Sequence, residues 1–291
     1  MIFAPSYSVA YRHLAILADV LYGNHGLTLQ KQKTKIMKAA SYEALLSTPE
    51  LKESQSLFQR FEGLLNELGL SNPYEPIQLD ELTDEQKEKI ASLNLSQLME
   101  DELQSQEPEM RIVRFVIRRF AQLNDDSALD TILSSVEKLY PVFPDIIRYL
   151  LSLRGLSRKE RHDIGQKVIE LLSSSVLSEL PWHRLWAFEL FAHSNSWGQE
   201  DRFVSLLANS KDSFARRKLI LALGRAGQKH WFNSHWRTLF DEPPWPRRAL
   251  IAAASCMPTD ARNHWYRSIE DRLDPVESAV ARWARANPFA V

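Results

Sequence analysis

The sequence predicts a mainly α protein of stacked helix pairs, with a short strand near its start. Three observations carry this. Only nine of 291 residues are glycine, too few for a turn-rich β fold. From residue 110 onward, apolar residues recur at helical spacing in units of about thirty-three to thirty-six residues. Pro141, Pro144, Pro181, Pro243, Pro244 and Pro246 fall between these helical runs, where a missing N–H and a locked φ do no harm.

Composition sets the outer bounds. A chain of 291 residues, 44% hydrophobic, holds one large domain or two to three smaller ones with a real core. A net charge of -1 gives no global field toward nucleic acid or membrane. The charge is uneven, however. Residues 51–110 carry ten more acids than bases and residues 111–291 seven more bases than acids, which reads as an acidic spacer before a mildly basic module. The single cysteine, Cys256, excludes an internal disulfide and fits a reducing cytosol. No apolar run reaches the length of a membrane span. Met1 to Pro5 has no basic leader, and Arg12, His13 and Asp19 interrupt any signal core. A cytoplasmic location is expected, with no membrane partner.

The first segment, 1–45, opens with Val9, Ala10, Leu14, Leu17, Val20 and Leu21 on one helical stripe. Ser8 is the expected N-cap, and Gly23-Asn24 the expected stop. Leu27, Leu29 and Ile36 follow at strand-like spacing. Gly26-Leu27-Thr28-Leu29-Gln30-Lys31-Gln32-Lys33-Thr34 then resembles the segment just past the catalytic aspartates of bacterial reverse transcriptases. Ile2-Phe3 is similar to the strand leaving that family's aspartate turn. Ala10, Leu14, Leu17 and Leu21 are similar to its next helix, and Asn24 to Leu29 with Lys33 to Ile36 to its turn and strand.

The resemblance implies a small α/β remnant of a polymerase palm. Lys33 would lie near the incoming nucleotide or template–primer backbone, on a turn set by Gly26 and beside Thr34; a compact ammonium suits phosphate. Met1 falls beyond the aspartate turn, so the family's fingers, most of its palm and its catalytic carboxylates are missing. Two-metal phosphoryl transfer requires those carboxylates. The expectation is therefore no polymerase activity and no cofactor in this chain, with magnesium serving the intact parent enzyme. The missing polymerase portion becomes an expected partner. Reverse transcriptases with helical-repeat extensions occur in bacterial phage defence, so an antiviral role is also implied.

The spacer, 46–108, reads as three helices. Ser47-Thr48-Pro49-Glu50 starts the first, with Leu57, Phe58, Phe61, Leu64, Leu65 and Leu68 as its stripe and Gly69 as its end. Asn72-Pro73 and Glu75-Pro76 mark a loop. Thr83 to Gln86 is a cap-like start for the second, and Leu95 to Leu103 is the third. Glu100-Asp101-Glu102 is read as a solvated face, since adjacent helical residues do not converge on one ion.

The repeat region, 109–291, shows five openings rich in arginine and apolar residues. These are Met110–Phe115, Asp145–Leu150, Trp182–Ala187, Ala215–Ile220 and Pro246–Ile251. Each precedes a second apolar-periodic run: Leu129–Leu139, Gly165–Leu172, Glu200–Leu207, His230–Phe240 and Ala261–Leu273. The pattern resembles a HEAT-like α-solenoid, in which stacking supplies the core that one pair lacks. Ala222 to Gly227 and Ala252-Ala253-Ala254 allow close helix approach.

Two readings fit the arginines. Arg111, Arg114, Arg118 and Arg119, then Arg216 and Arg217 with Lys218, then Arg247 and Arg248, would track an RNA or DNA backbone if they share one surface. Alternatively they pair with acids such as Asp125, Asp126, Asp212, Asp241 and Glu242. Trp182, Trp186, Trp231, Trp236, Trp245, Trp265 and Trp283 are read chiefly as core, with base stacking the alternative. No Gly-rich phosphate loop, G-x-G-x-x-G or G-x-S-x-G occurs. His230 and His235 are five apart, off the spacing that places two imidazoles on one face, so no zinc site is expected. His183 and His193 stand apart, and Cys256 is expected to be a buried free thiol.

Two functions follow. One is the C-terminal part of an RNA-directed DNA polymerase, inactive alone. The other is a non-enzymatic α-solenoid that binds a protein or a nucleic acid.

Overall fold

A computed structural model describes residues 4–30, 34–45, 82–106, 108–174, 176–235 and 237–289, with single positions at 59, 61, 63, 66 and 77. The protein is mainly α, and among the described residues there is no strand. The chain divides into two compact units, residues 1–155 and 156–291.

In the first unit, α1 spans Tyr7–His25. Its N-cap is Ser6, not Ser8: the extended Ser6 accepts the Val9 N–H, while Ser8 already lies in the first turn. Its end is Gly26, not Gly23-Asn24. Gly26 takes the left-handed conformation (φ 64°), and Leu27 N–H donates back to the Leu21 carbonyl. The strand expected over Leu27 to Ile36 is absent among the described residues, since 27–30 and 34–38 are irregular. A strand needs a neighbouring edge, and Leu27 instead stands 56% exposed.

Helix α2 is Ala39–Leu45. The helix expected over residues 47–68 and the Pro73 to Pro76 loop lie outside the described residues, as do Ile2, Phe3 and Lys33. Phe61 is described, helical and buried. Helix α3, Asp84–Ala91, begins with the expected capping box between Thr83 and Gln86. Helix α4, Leu95–Gln104, buries Leu95, Met99 and Leu103 at four-residue intervals. Glu100 and Asp101 stay exposed, and Glu102 accepts the Glu109 N–H.

Helices α5 (Met110–Leu123), α6 (Leu129–Ser134) and α7 (Phe143–Ser152) complete this unit. The run expected to Leu139 stops as a helix at Ser134 and continues as turns. Helix α5 packs on α7; Val113, Val116, Ile117, Phe120 and Leu123 of α5 and Ile146, Ile147, Tyr149 and Leu150 of α7 are buried. Arg119 is buried with its guanidinium 4.5 Å from the Phe61 ring centre and hydrogen-bonded to Gln122.

The second unit holds α8 (Arg158–Ser174), α9 (Pro181–His193), α10 (Glu200–Asn209), α11 (Ser213–Arg225) and α12 (Lys229–His235). It closes with α13 (Pro244–Ala253), α14 (Thr259–Ile269) and α15 (Pro275–Ala286). Helix α9 packs on α11, α11 on α13 and α13 on α15, so alternate helices form a stack. Glycine makes two of these contacts close. A Cβ at Gly224 of α11 would lie 2.7 Å from the Ala253 Cβ of α13. A Cβ at Gly165 of α8 would lie 2.1 Å from the Trp197 carbonyl oxygen.

Candidate functional site

The stacked helices of the second unit run parallel. Near their starts, Arg216 of α11 meets Glu242 just before α13, and Arg247 of α13 meets Glu277 of α15. Near their ends, Gly224 meets Ala253. The N-termini of α11, α13 and α15 therefore gather on one edge.

This edge carries a ladder of ion pairs. Arg216 binds Glu242 through both nitrogens of its fork and also donates to the Leu207 and Ser210 carbonyls at 3.0 and 3.1 Å. Lys218 of α11 pairs with Glu189 of α9. Arg247 Nε lies 2.5 Å from Glu277 Oε1, and Glu277 is 1% exposed. Its other oxygen accepts the Asp274 N–H, closing the capping box of α15. The Glu277 N–H bonded to Asp274 holds the Asp274 carboxyl below its ordinary pKa, with Arg248 and Arg247 adding to the effect. Arg248 stands 3.8 Å from Asp274.

The first unit has a related clamp. Arg114 and Arg118 of α5 both bind buried Asp145 of α7, at 3.1 and 2.8 Å, and Arg148 is 3.9 Å away. Arg111 turns back on Glu109 at 2.9 Å. Burial would raise the Glu109 pKa, but the Arg111 hydrogen bond and charge outweigh it and hold the carboxyl low.

Six of the sequence-predicted arginines are engaged by acids of their own unit. Arg111, Arg114, Arg118, Arg216, Arg247 and Arg248 each have a carboxylate partner. Of the acids expected to pair, Glu242 does so; Asp145, Glu277 and Glu189 are partners that sequence reasoning missed. They sit 27 to 31 residues from their bases, one helix pair away, and that spacing, a little under the repeat length, was the available signal. Arg217 differs. It stands over the Trp245 ring at 5.3 Å, with no carboxylate within ion-pair reach among the described residues.

The tryptophans divide. Trp265 is core, as is Trp197, whereas Trp182, Trp245 and Trp283 are 56%, 47% and 54% exposed. The core reading fails for these three, because each lies on the outward side of a helix whose opposite side packs. Trp186 and Trp231 are half-buried, and Trp236 lies outside the described residues. Trp182, Phe214, Trp245 and Val276 are all exposed, and each is the second residue of a stacked helix: α9, α11, α13 and α15. Proline precedes three of them. Phe214 and Trp245 have ring centres 6.4 Å apart, and Arg248 stands 5.5 Å from Trp245 on the same helix.

The residues predicted to touch nucleotide belong to the first unit, and Lys33 lies outside the described residues. Gly26 caps α1, and the Thr34 hydroxyl donates to the Gln30 carbonyl at 3.0 Å. His235 stacks on Trp231 at 4.0 Å, and Cys256 is a buried free thiol. No three His, Cys, Asp or Glu among the described residues group to hold a metal ion. No helix among them is long and apolar enough to cross a membrane. The chain matches no protein-family model, no curated protein and no solved structure.

Proposed function

We propose that this chain is a non-catalytic scaffold of HEAT-like helix pairs, which acts by holding a partner on the exposed N-terminal edge of its second unit. The observation that carries the reading is the row Trp182, Phe214, Trp245 and Val276, displayed at the same helical position in four stacked helices. The ion pairs behind that row fix its spacing, since buried carboxylates such as Glu277 tolerate one geometry. The test is catalytic. Purified protein is given primer–template, magnesium and labelled nucleotide. No incorporation above a buffer blank is expected, and template-dependent incorporation overturns the scaffold reading.

A second reading is the C-terminal part of a reverse transcriptase from a phage-defence system, with α1 as the last palm helix. One observation favours it. Helix α1 has no buried residue, and it exposes Ile16, Leu17, Val20 and Tyr22 although it carries an apolar stripe. A palm sheet would cover that stripe. An in-frame Asp-Asp turn encoded upstream of Met1 is its expected signature; an upstream stop codon in every isolate sinks it.

A further inference from the structure

The exposed row has a chemistry more specific than apolar contact. Trp245 is 47% exposed and flanked by two guanidiniums, Arg217 from α11 at 5.3 Å and Arg248 from its own helix at 5.5 Å. Phe214 adds a second exposed ring 6.4 Å away, tilted 36°. The neighbouring cations Arg216, Lys218 and Arg247 are spent on carboxylates, but Arg217 has none among the described residues and Arg248 only the 3.8 Å contact with Asp274. Residues 201–250 hold ten Lys and Arg against four Asp and Glu, and Glu189, Asp274 and Glu277 join the same edge from outside that stretch. The N-termini of α11, α13 and α15 gather on this edge; Asp212 and Asp274 cap the first and last, and α13, with no side-chain cap, adds its partial positive charge.

We propose that this edge binds single-stranded nucleic acid, with unpaired bases stacking on Trp245 and Phe214 and the intervening phosphates held by Arg217 and Arg248. The inference rests on the scaffold reading and names its partner. Flat rings beside Arg217, which has no carboxylate partner among the described residues, and Arg248, held only at 3.8 Å, suit a chain that alternates flat bases with anions. An acidic peptide would satisfy the arginines but leave the ring faces without stacked partners. A duplex would present phosphates while keeping its bases in the stack. Arginine planes also stack on bases, so Arg217 and Arg248 serve both contacts.

Fluorescence anisotropy on the full-length protein tests this, with fluorescein-labelled oligothymidine and oligouridine as probes. A duplex of the same length and polyglutamate serve as competitors. Either single strand is expected to bind more weakly as salt rises. Trp245→Ala should weaken binding about fivefold or more, the low end of one lost base stack. Trp283→Ala removes an equally exposed indole from the third turn of α15 and should change nothing. Arg217→Ala should lower the slope of log affinity against log salt by about one. Far-UV circular dichroism must show each variant folded; Trp245→Phe, which keeps a ring, should recover most of the affinity. The proposal is overturned if folded protein binds neither oligonucleotide, if Trp245→Ala and Trp283→Ala behave alike, or if duplex or polyglutamate competes as well as the single strand. Those outcomes leave the scaffold reading standing, because that reading fails only on nucleotide incorporation.

Discussion

Two side chains show how burial turns sequence into testable energetics. Glu277 is 1% exposed, and its charge is met by Arg247. Arg247→Leu leaves that carboxylate buried without its cation, and the expected cost in urea denaturation is about 3–5 kcal/mol. Glu277→Gln in the same chain removes the stranded charge but keeps a carbonyl for the Asp274 N–H. The double variant should recover more than half of the loss; equal instability in single and double variants would mean the ion pair is incidental. Cys256 gives a pH test. Burial pushes its thiol up to about 11. An unfolded thiol ionises near about 8.5. With the folded value raised, its stabilising effect is complete below about 8.5 and is lost as pH rises toward 11. The stability difference between the wild type and Cys256→Ala should therefore shift against the wild type across that window. At neutral pH the folded thiol should react with a disulfide reagent far more slowly than the urea-unfolded chain; equal rates would show Cys256 is not protected.

At the scale of elements, local chemistry was readable and pairing was not. Each of the five opening runs lies on a helix, and so does the start of each following run. The Thr83 box is where its sequence puts it. Helix ends were legible only to within a few residues. Ser6 and Ser8 are equally good cap residues, and Gly26 outcompetes Gly23 because it alone there takes positive φ. The strand over 27–36 misread alternation in a segment with no partner edge among the described residues. The exposed row was half legible: proline followed by tryptophan at 181–182 and 244–245 was visible, but not that both open helices of one stack, which depends on helix pairing. Close approach is the element-scale constraint. Gly165→Ala would place its new carbon 2.1 Å from the Trp197 carbonyl oxygen, a backbone atom that yields only if the short helix around it moves. Alanine's helix preference, worth about 1 kcal/mol, does not offset such overlap, and a net loss of about 1–3 kcal/mol is expected by thermal melting. Unchanged or raised stability would show that α8 and the 195–197 turn are not in fixed contact.

At the scale of the whole molecule, the small net charge hides an opposition between the units. Residues 1–155 hold sixteen Lys and Arg against twenty-two Asp and Glu, whereas residues 156–291 hold twenty against fifteen. A net charge of -1 therefore sums an acidic unit and a basic one, and only the second matches a polyanion. Each unit also has its own buried set: Val116, Ile117 and Ile147 in the first, Phe188, Leu219 and Ile251 in the second. A module with its own core should fold when made alone. Residues 156–291 expressed separately are expected to be helical, to melt cooperatively and to bind a cation exchanger at neutral pH. Residues 1–155 should bind an anion exchanger instead. If single-stranded DNA is the partner, its salt-sensitive binding should travel with residues 156–291 and keep its dependence on Trp245. An unfolded 156–291 fragment would show that the division at Gly155 separates contacts but not stability; oligonucleotide binding by residues 1–155 alone would move the interface to the acidic half, where the charge argument has no force.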